Sequence, residues 1–197
     1  LLSNDHSNKT FLEIGTFNGY GSTRCFVEAL INRLNKNYVF FSLETNPDKF
    51  RNSQALYFGL HNIHLLQEVI ELNPLDNIFD VFPILRNNKR QQYLFQVELN
   101  NIEFCSEFLK NPKIPEIFDV VLFNGGKYTD YYDFMKIKDR CRYVILLDIN
   151  TNPSSKKIIQ FINHENKNKD KVVWKKLMEF SRNSKNNHPF IIYFKNQ

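Results

Sequence analysis

Apolar residues along the chain alternate between short dense runs and longer stretches with helical spacing. Phe11–Ile14 is the first dense run and predicts a strand. From about Tyr20 to Leu34, the residues Phe26, Val27, Leu30, Ile31 and Leu34 recur on one side of a helix. Tyr38–Glu44 predicts a second strand. Asn46-Pro47 opens a helix to about Leu60, since proline is tolerated in a first helical turn. His61–Leu66 predicts the third strand, Phe118–Phe123 the fourth and Tyr143–Leu147 the fifth, which is apolar throughout, as a central parallel strand should be. Helices are expected over Tyr128–Asp139 and, capped by Ser154-Ser155, to about His164.

Residues 73–117 are punctuated by Pro74, Pro83, Pro112 and Pro115, and the long helix that fits there runs from about Gln91 to Lys110. Elsewhere strands and helices alternate, the pattern of a parallel sheet with crossover helices. The tail differs. Val172–Phe180 and Phe190–Phe194 are strand-like, with only the polar loop Ser181–His188 between them. Adjacent strands without a crossover must be antiparallel. The expected fold is α/β: a Rossmann-like, doubly wound, mostly parallel seven-stranded sheet that ends in an antiparallel hairpin.

A chain of 197 residues suits one such domain, and 42% hydrophobic with 24% charged residues excludes a disordered chain. Net charge is +5, but the cations are scattered. The densest group is Lys156-Lys157 followed by Lys167, Lys169, Lys171, Lys175 and Lys176. Solvated surface is the simpler reading of it, and nucleic-acid contact the alternative. Cys25, Cys105 and Cys141 show no CxxC spacing, which predicts reduced, packed thiols in a cytoplasmic, reducing compartment. No run approaches 18 apolar residues, so no membrane span is expected. The abrupt start, two leucines and a polar stretch, reads as one domain of a longer protein.

Candidate chemistry begins after the first strand, in Glu13-Ile-Gly-Thr-Phe-Asn-Gly-Tyr-Gly-Ser-Thr23. The spacing is Gly15-x-x-x-Gly19-x-Gly21. A dinucleotide fingerprint would read G-x-G-x-x-G; the wider spacing leaves room for an amino acid tail. This stretch resembles motif I of S-adenosylmethionine-dependent methyltransferases, which runs acidic-x-Gly-x-x-x-Gly. It is most similar to the small-molecule O-methyltransferases, where E-I-G is followed by G-x-S-T. The resemblance implies that Glu13, Gly15, Thr16 and Gly19 surround the methionine moiety, with Ser22 and Thr23 touching it or capping the helix. It also implies that Glu44, one βαβ unit further on, accepts both ribose hydroxyls, for which a carboxylate has the two oxygens needed. Glu68 falls near the adenine. The cofactor so implied is S-adenosylmethionine, with S-adenosylhomocysteine as product, and residues 73–117 become a candidate acceptor-binding insertion.

The second informative stretch is Phe118-Asp-Val-Val-Leu-Phe-Asn-Gly-Gly-Lys-Tyr-Thr-Asp130, whose strand end faces the ligand crevice of an open α/β sheet. Asn124 precedes two glycines and lacks the prolines of base amino-methyltransferases. No cysteine follows a proline, as cytosine C5 chemistry requires. The stretch instead resembles catechol and caffeoyl-coenzyme A O-methyltransferases. That places Asn124 at the strand-end acidic position beside the cofactor and Lys127 at the catalytic lysine. Their metal-binding Asp-Asn pair corresponds to Asp148-Ile149-Asn150, with one residue interposed. A Mg²⁺ site needs hard, preferably anionic oxygens, and Asn124 is neutral, so a metal-free relative is expected. Lys127 and Asp148 are the candidate catalytic residues; His61, His64, His164 and His188 are alternative bases. The implied function is methyl transfer to a small hydroxylated acceptor such as a sugar or phenol, with Tyr93, Phe95 and Phe104 as candidate pocket walls. RNA methylation, or a degenerate domain with a structural or binding role, is the alternative.

Overall fold

The computed structural model describes residues 9–70, 72, 77–168, 173–180 and 189–196. The chain forms β1 (Thr10–Ile14), α1 (Ser22–Ile31), β2 (Val39–Leu43), α2 (Pro47–Leu56), β3 (Ile63–Leu66) and β4 (Glu68–Val69). Three helices follow, α3 (Ile78–Val81), α4 (Ile84–Asn87) and α5 (Lys89–Ile102), then β5 (Ser106–Glu107). The second half carries β6 (Phe118–Phe123), α6 (Thr129–Ile137), β7 (Cys141–Leu147), α7 (Pro153–Asn168), β8 (Trp174–Phe180) and β9 (Phe190–Lys195).

Seven strands make one sheet in the order β3-β2-β1-β6-β7-β9-β8. The first five are mutually parallel, and β9 runs antiparallel to both β7 and β8. The expected Rossmann-like sheet with its terminal hairpin is the fold observed. Strand order reverses between β1 and β6, and that switch point opens the crevice in which such sheets bind ligands.

The period of two along each strand builds two cores. Leu12, Ile14, Val121, Phe123, Val144 and Leu146 face α6 and α7 with Phe134, Ile158 and Ile162. Phe11, Phe40, Val120 and Leu122 face α1 with Phe26, Val27 and Leu30. Glu13 and Ser42 point to this second face as cross-strand partners, both fully buried.

Several boundaries differ from expectation. Helix α1 begins only after Gly21 and stops at Ile31, so Leu34 is 92% exposed instead of extending the apolar stripe. Helix α5 ends at Ile102, not Lys110, because Ser106–Glu107 pairs in parallel with Glu68–Val69 and this pairing overrides local helix preference. Ser154-Ser155 do not cap α7. Asn152 does, its Oδ1 accepting the backbone N–H of Ser154 at 2.8 Å and of Ser155 at 3.4 Å. Val172, the loop Ser181–His188, Pro74, Lys169 and Lys171 lie outside the described residues. Among the described residues, no helix is long and apolar enough to cross a membrane.

Candidate functional site

The carboxyl ends of β1, β2 and β6 open onto a cavity of about 430 Å³, a size that suits a small-molecule ligand. Gly15 and Phe17 after β1, Glu44 after β2, Glu68 in β4 and Asn124 after β6 share its wall, while α5 lies across it.

Gly15 has φ +97° and lies directly against Gly125, so the loops after β1 and β6 touch backbone to backbone. Glu44 is 8% exposed. Its Oε2 accepts the Phe17 N–H at 2.6 Å and its Oε1 the Asn46 N–H at 2.8 Å, which leaves each oxygen a further lone pair. Burial raises its pKa against the pull of these amides. Phe17 holds a left-handed backbone at φ 55°, with the Lys49 ammonium 4.3 Å from its ring centre. Burial also raises the Glu68 carboxyl. Its Oε1 accepts the Ser106 hydroxyl at 3.4 Å, and its buried Oε2 has no hydrogen-bond partner among the described residues.

The other residues expected at the cofactor do not line this cavity. Glu13 is a brace: its carboxylate accepts the hydroxyls of Ser22 (2.5 Å), Thr23 (2.7 Å) and Ser42 (2.6 Å), tying the start of α1 to β1 and β2. Thr16 Oγ1 shares a hydrogen bond of 2.5 Å with Ser42 Oγ. Gly19 packs on α2, where an added Cβ would meet Ser53, Tyr57 and Leu56. Asn124 joins the brace to the cavity by donating its side-chain amide to Ser22 Oγ at 3.1 Å.

Lys127 lines the cavity, and its backbone is held at both ends by Glu98 Oε1 (2.7 Å) and the Ser154 N–H (3.0 Å). Asp148 is not brought to the same wall. It turns at φ 52° and its carbonyl accepts the N–H of Thr151 and Asn152. Asn150 is exposed and Ile149 is buried in the core. His61, His64 and His164 line none of the cavity, His64 being stacked on Phe41, and His188 is outside the described residues. Tyr93 and Phe104 are exposed, and Phe95 packs on Tyr128. The expected aromatic walls are replaced by Leu94, Val97 and Ile102 of α5.

Three carboxylates between α5 and α6 complete the site. Glu98 accepts the N–H groups of Lys127, Tyr128 (3.1 Å) and Thr129 (3.3 Å). Asp130 accepts those of Gly125 (3.1 Å) and Gly126 (2.7 Å). Burial, with the charges of Asp133 and Glu98, pushes Asp130 well above the usual carboxylate range, and burial with Glu98 pushes Asp133 up to about 8.

No family model matches the sequence, and no curated protein does. Solved structures do match. An rRNA methylase from Streptococcus thermophilus is 13% identical with a TM-score of 0.53, over 96% of this chain and 89% of that one. An O-methyltransferase from Bacillus cereus, solved in complex with SAH, is 15% identical with a TM-score of 0.54, over 96% and 74%. Fibrillarin from Aeropyrum pernix, with natively bound S-adenosyl-L-methionine, is 10% identical with a TM-score of 0.53, over 94% and 66%. The fold is that of class I methyltransferases.

Within this methyltransferase fold, sequence reasoning missed Phe17, Glu98 and Asp133 at the cavity. Asp130 carried one legible signal, an acid in a first helical turn. Phase was the available signal for α5: positions 94, 97, 98, 101 and 102 fall on one helical face.

Proposed function

We propose that the chain is an S-adenosylmethionine-dependent methyltransferase that methylates an oxygen of a small hydroxylated acceptor, a sugar or a phenol. The observation that carries this reading is the convergence of Gly15, Glu44, Glu68 and Asn124 on one cavity at the switch point of a methyltransferase sheet. The residues present fit the cofactor. Glu44 retains lone pairs for a vicinal diol, and the orphaned Glu68 Oε2 is an acceptor for a donor group such as the adenine amine. When bound, the cofactor supplies an electrophilic methyl on a positively charged sulfonium.

The chain's own residues then have separable tasks. Glu44 and Glu68 orient the nucleoside, and the Gly15–Gly125 contact sets the width of the crevice. Lys127, in its neutral amine form, takes the acceptor's proton as the oxygen bonds to the methyl, and its position is fixed by the clamp on its backbone. Asp148 acts at one remove. Its carbonyl holds the Asn152 N–H at 2.8 Å, and Asn152 Nδ2 donates to Gly126 O at 3.5 Å, so the loop after β7 buttresses the loop carrying Lys127. Alignment of nucleophile and methyl contributes up to about 7–11 kcal/mol in such reactions, which makes this rigidity the larger effect.

Titration calorimetry with S-adenosylhomocysteine tests the reading. A hydrogen bond to a charged group contributes about 1.5–3 kcal/mol, so Glu44→Ala is expected to weaken binding at least tenfold. A dissociation constant unchanged in a folded variant would sink the assignment.

A further inference from the structure

We infer that α5 is the roof of the cofactor cavity and that Glu98 is the positioning residue that latches it shut. This rests on the cavity taking S-adenosylmethionine, as proposed above, and it moves the helix of segment 73–117 from acceptor binding to cofactor retention.

The argument starts from how α5 is attached. An amphipathic helix ordinarily sinks its apolar stripe into a core. The stripe of α5, Leu94, Val97 and Ile102 with Glu98 and Asn101 between, faces the cavity instead, and none of the helix's residues is buried. Its missing apolar contacts are those that a ligand in the cavity would supply.

One apolar contact, Phe95 edge-on to Tyr128 with ring centres 5.8 Å apart, and a set of polar contacts dock the helix. Both oxygens of Glu98 are engaged by the amides of Lys127, Tyr128 and Thr129. Those amides open α6 and have no partners within it, and the positive end of the helix favours a carboxylate there. One helical turn or two away, Tyr128 Oη donates to Gln91 Oε1 at 2.5 Å. At the far end Asn46 Nδ2 reaches Asn101 Oδ1 at 3.5 Å. The approach of Glu98 depends on Gly126, where an added Cβ would lie 2.8 Å from Glu98 Oε2. Glu98 therefore ties the roof to the loop that carries Asn124 and Lys127. Release of the cofactor requires this capping carboxylate to let go.

Hydrogen exchange followed by mass spectrometry tests the roof on the unaltered protein. With saturating S-adenosylhomocysteine, peptides covering 89–102 should exchange at least tenfold more slowly, while those of α7 stay unchanged. Stopped-flow dissociation tests the latch. Glu98→Gln keeps the shape but loses the charge and turns an amide N–H₂ toward the α6 amides. It should raise the dissociation rate of S-adenosylhomocysteine about tenfold, with a smaller effect on its association rate, in a protein that still unfolds cooperatively. Tyr128→Phe, which removes only the Gln91 contact, should act in the same direction and less. If wild type binds S-adenosylhomocysteine and α5 exchange does not change, the roof is wrong. If Glu98→Gln dissociates at the wild-type rate, the latch is wrong. No binding by wild type would overturn the cofactor reading itself, and the roof with it.

Discussion

Replacing Gly15 by alanine tests whether the crevice depends on two loops in backbone contact. At φ +97° a side chain is strained, at a cost of about 1–3 kcal/mol. The added Cβ would also fall on Gly125 Cα, Gly125 N and Asn124 O, all under the 3.0 Å below which real Cβ atoms essentially never approach. Neither side can retreat. The Gly15 and Thr16 N–H groups are bound to Leu43 O at 2.9 and 3.1 Å, and Asn124 N is bound to Ile14 O at 2.9 Å. Overpacking of this kind adds about 1–3 kcal/mol. The total is about 2–6 kcal/mol, a large part of the roughly 5–15 kcal/mol that stabilises a domain. Urea denaturation should show it as a midpoint lowered by about 1–3 M, taking a slope of roughly 2 kcal/mol per M. Gly21→Ala is the control, since nothing lies within 4 Å of its added Cβ; it should stay within about 0.5 kcal/mol of wild type. A Gly15→Ala protein less than about 1 kcal/mol destabilised would refute the contact argument.

Lys127→Met should bind S-adenosylhomocysteine normally and lose at least tenfold in turnover, since a general base contributes about 10²–10⁴-fold; equal turnover would place the base elsewhere. Asp133 keeps its proton to about pH 8 in the folded state, whereas the unfolded carboxyl ionises near the usual 3.8. Stability should therefore fall as pH rises from about 4 to about 8, and Asp133→Asn should gain about 1 kcal/mol or more over wild type across that window; parallel urea midpoints for the two proteins would count against it. At pH 8 one thiol of the native chain, Cys25, should react readily with a disulfide reagent. Cys105 and Cys141 are buried and raised to about 11 and about 12, so they should react only on unfolding, and fast labelling of all three would contradict this burial.

The sheet was legible because its parallel strands are dense apolar runs and its long crossovers keep helical spacing, while the charged edge strand β8 was legible only beside the apolar run of β9. The place of Glu44 on the cavity wall was legible for a related reason, since the end of a strand one βαβ unit after a glycine loop has a fixed position in such a fold. Glu13 was read as a ligand contact. Its carboxylate accepts the hydroxyls of Ser22, Thr23 and Ser42, and the last of these is set by strand register, which periodicity does not reveal. Glu98 caps a helix that begins about 30 residues later, so its role is tertiary and leaves no local trace. The aromatic walls failed differently. Abundant aromatics drew attention to Tyr93 and Phe104, while helical phase pointed to Leu94, Val97 and Ile102.

The two-residue ribbon of β4 and β5 fixes where the intervening segment leaves the sheet and where it returns. Glu68 lies opposite Ser106 and Val69 opposite Glu107, so entry and exit are neighbouring strands, about 4.8 Å apart. The helices α3, α4 and α5 thus form a cassette whose flanking strands are neighbours. Doubling the length of such a loop costs only about 0.6 kcal/mol in closure. Other helical segments should be accepted there without altering the register of the seven strands, which makes this junction the place to graft a different wall onto the same cavity.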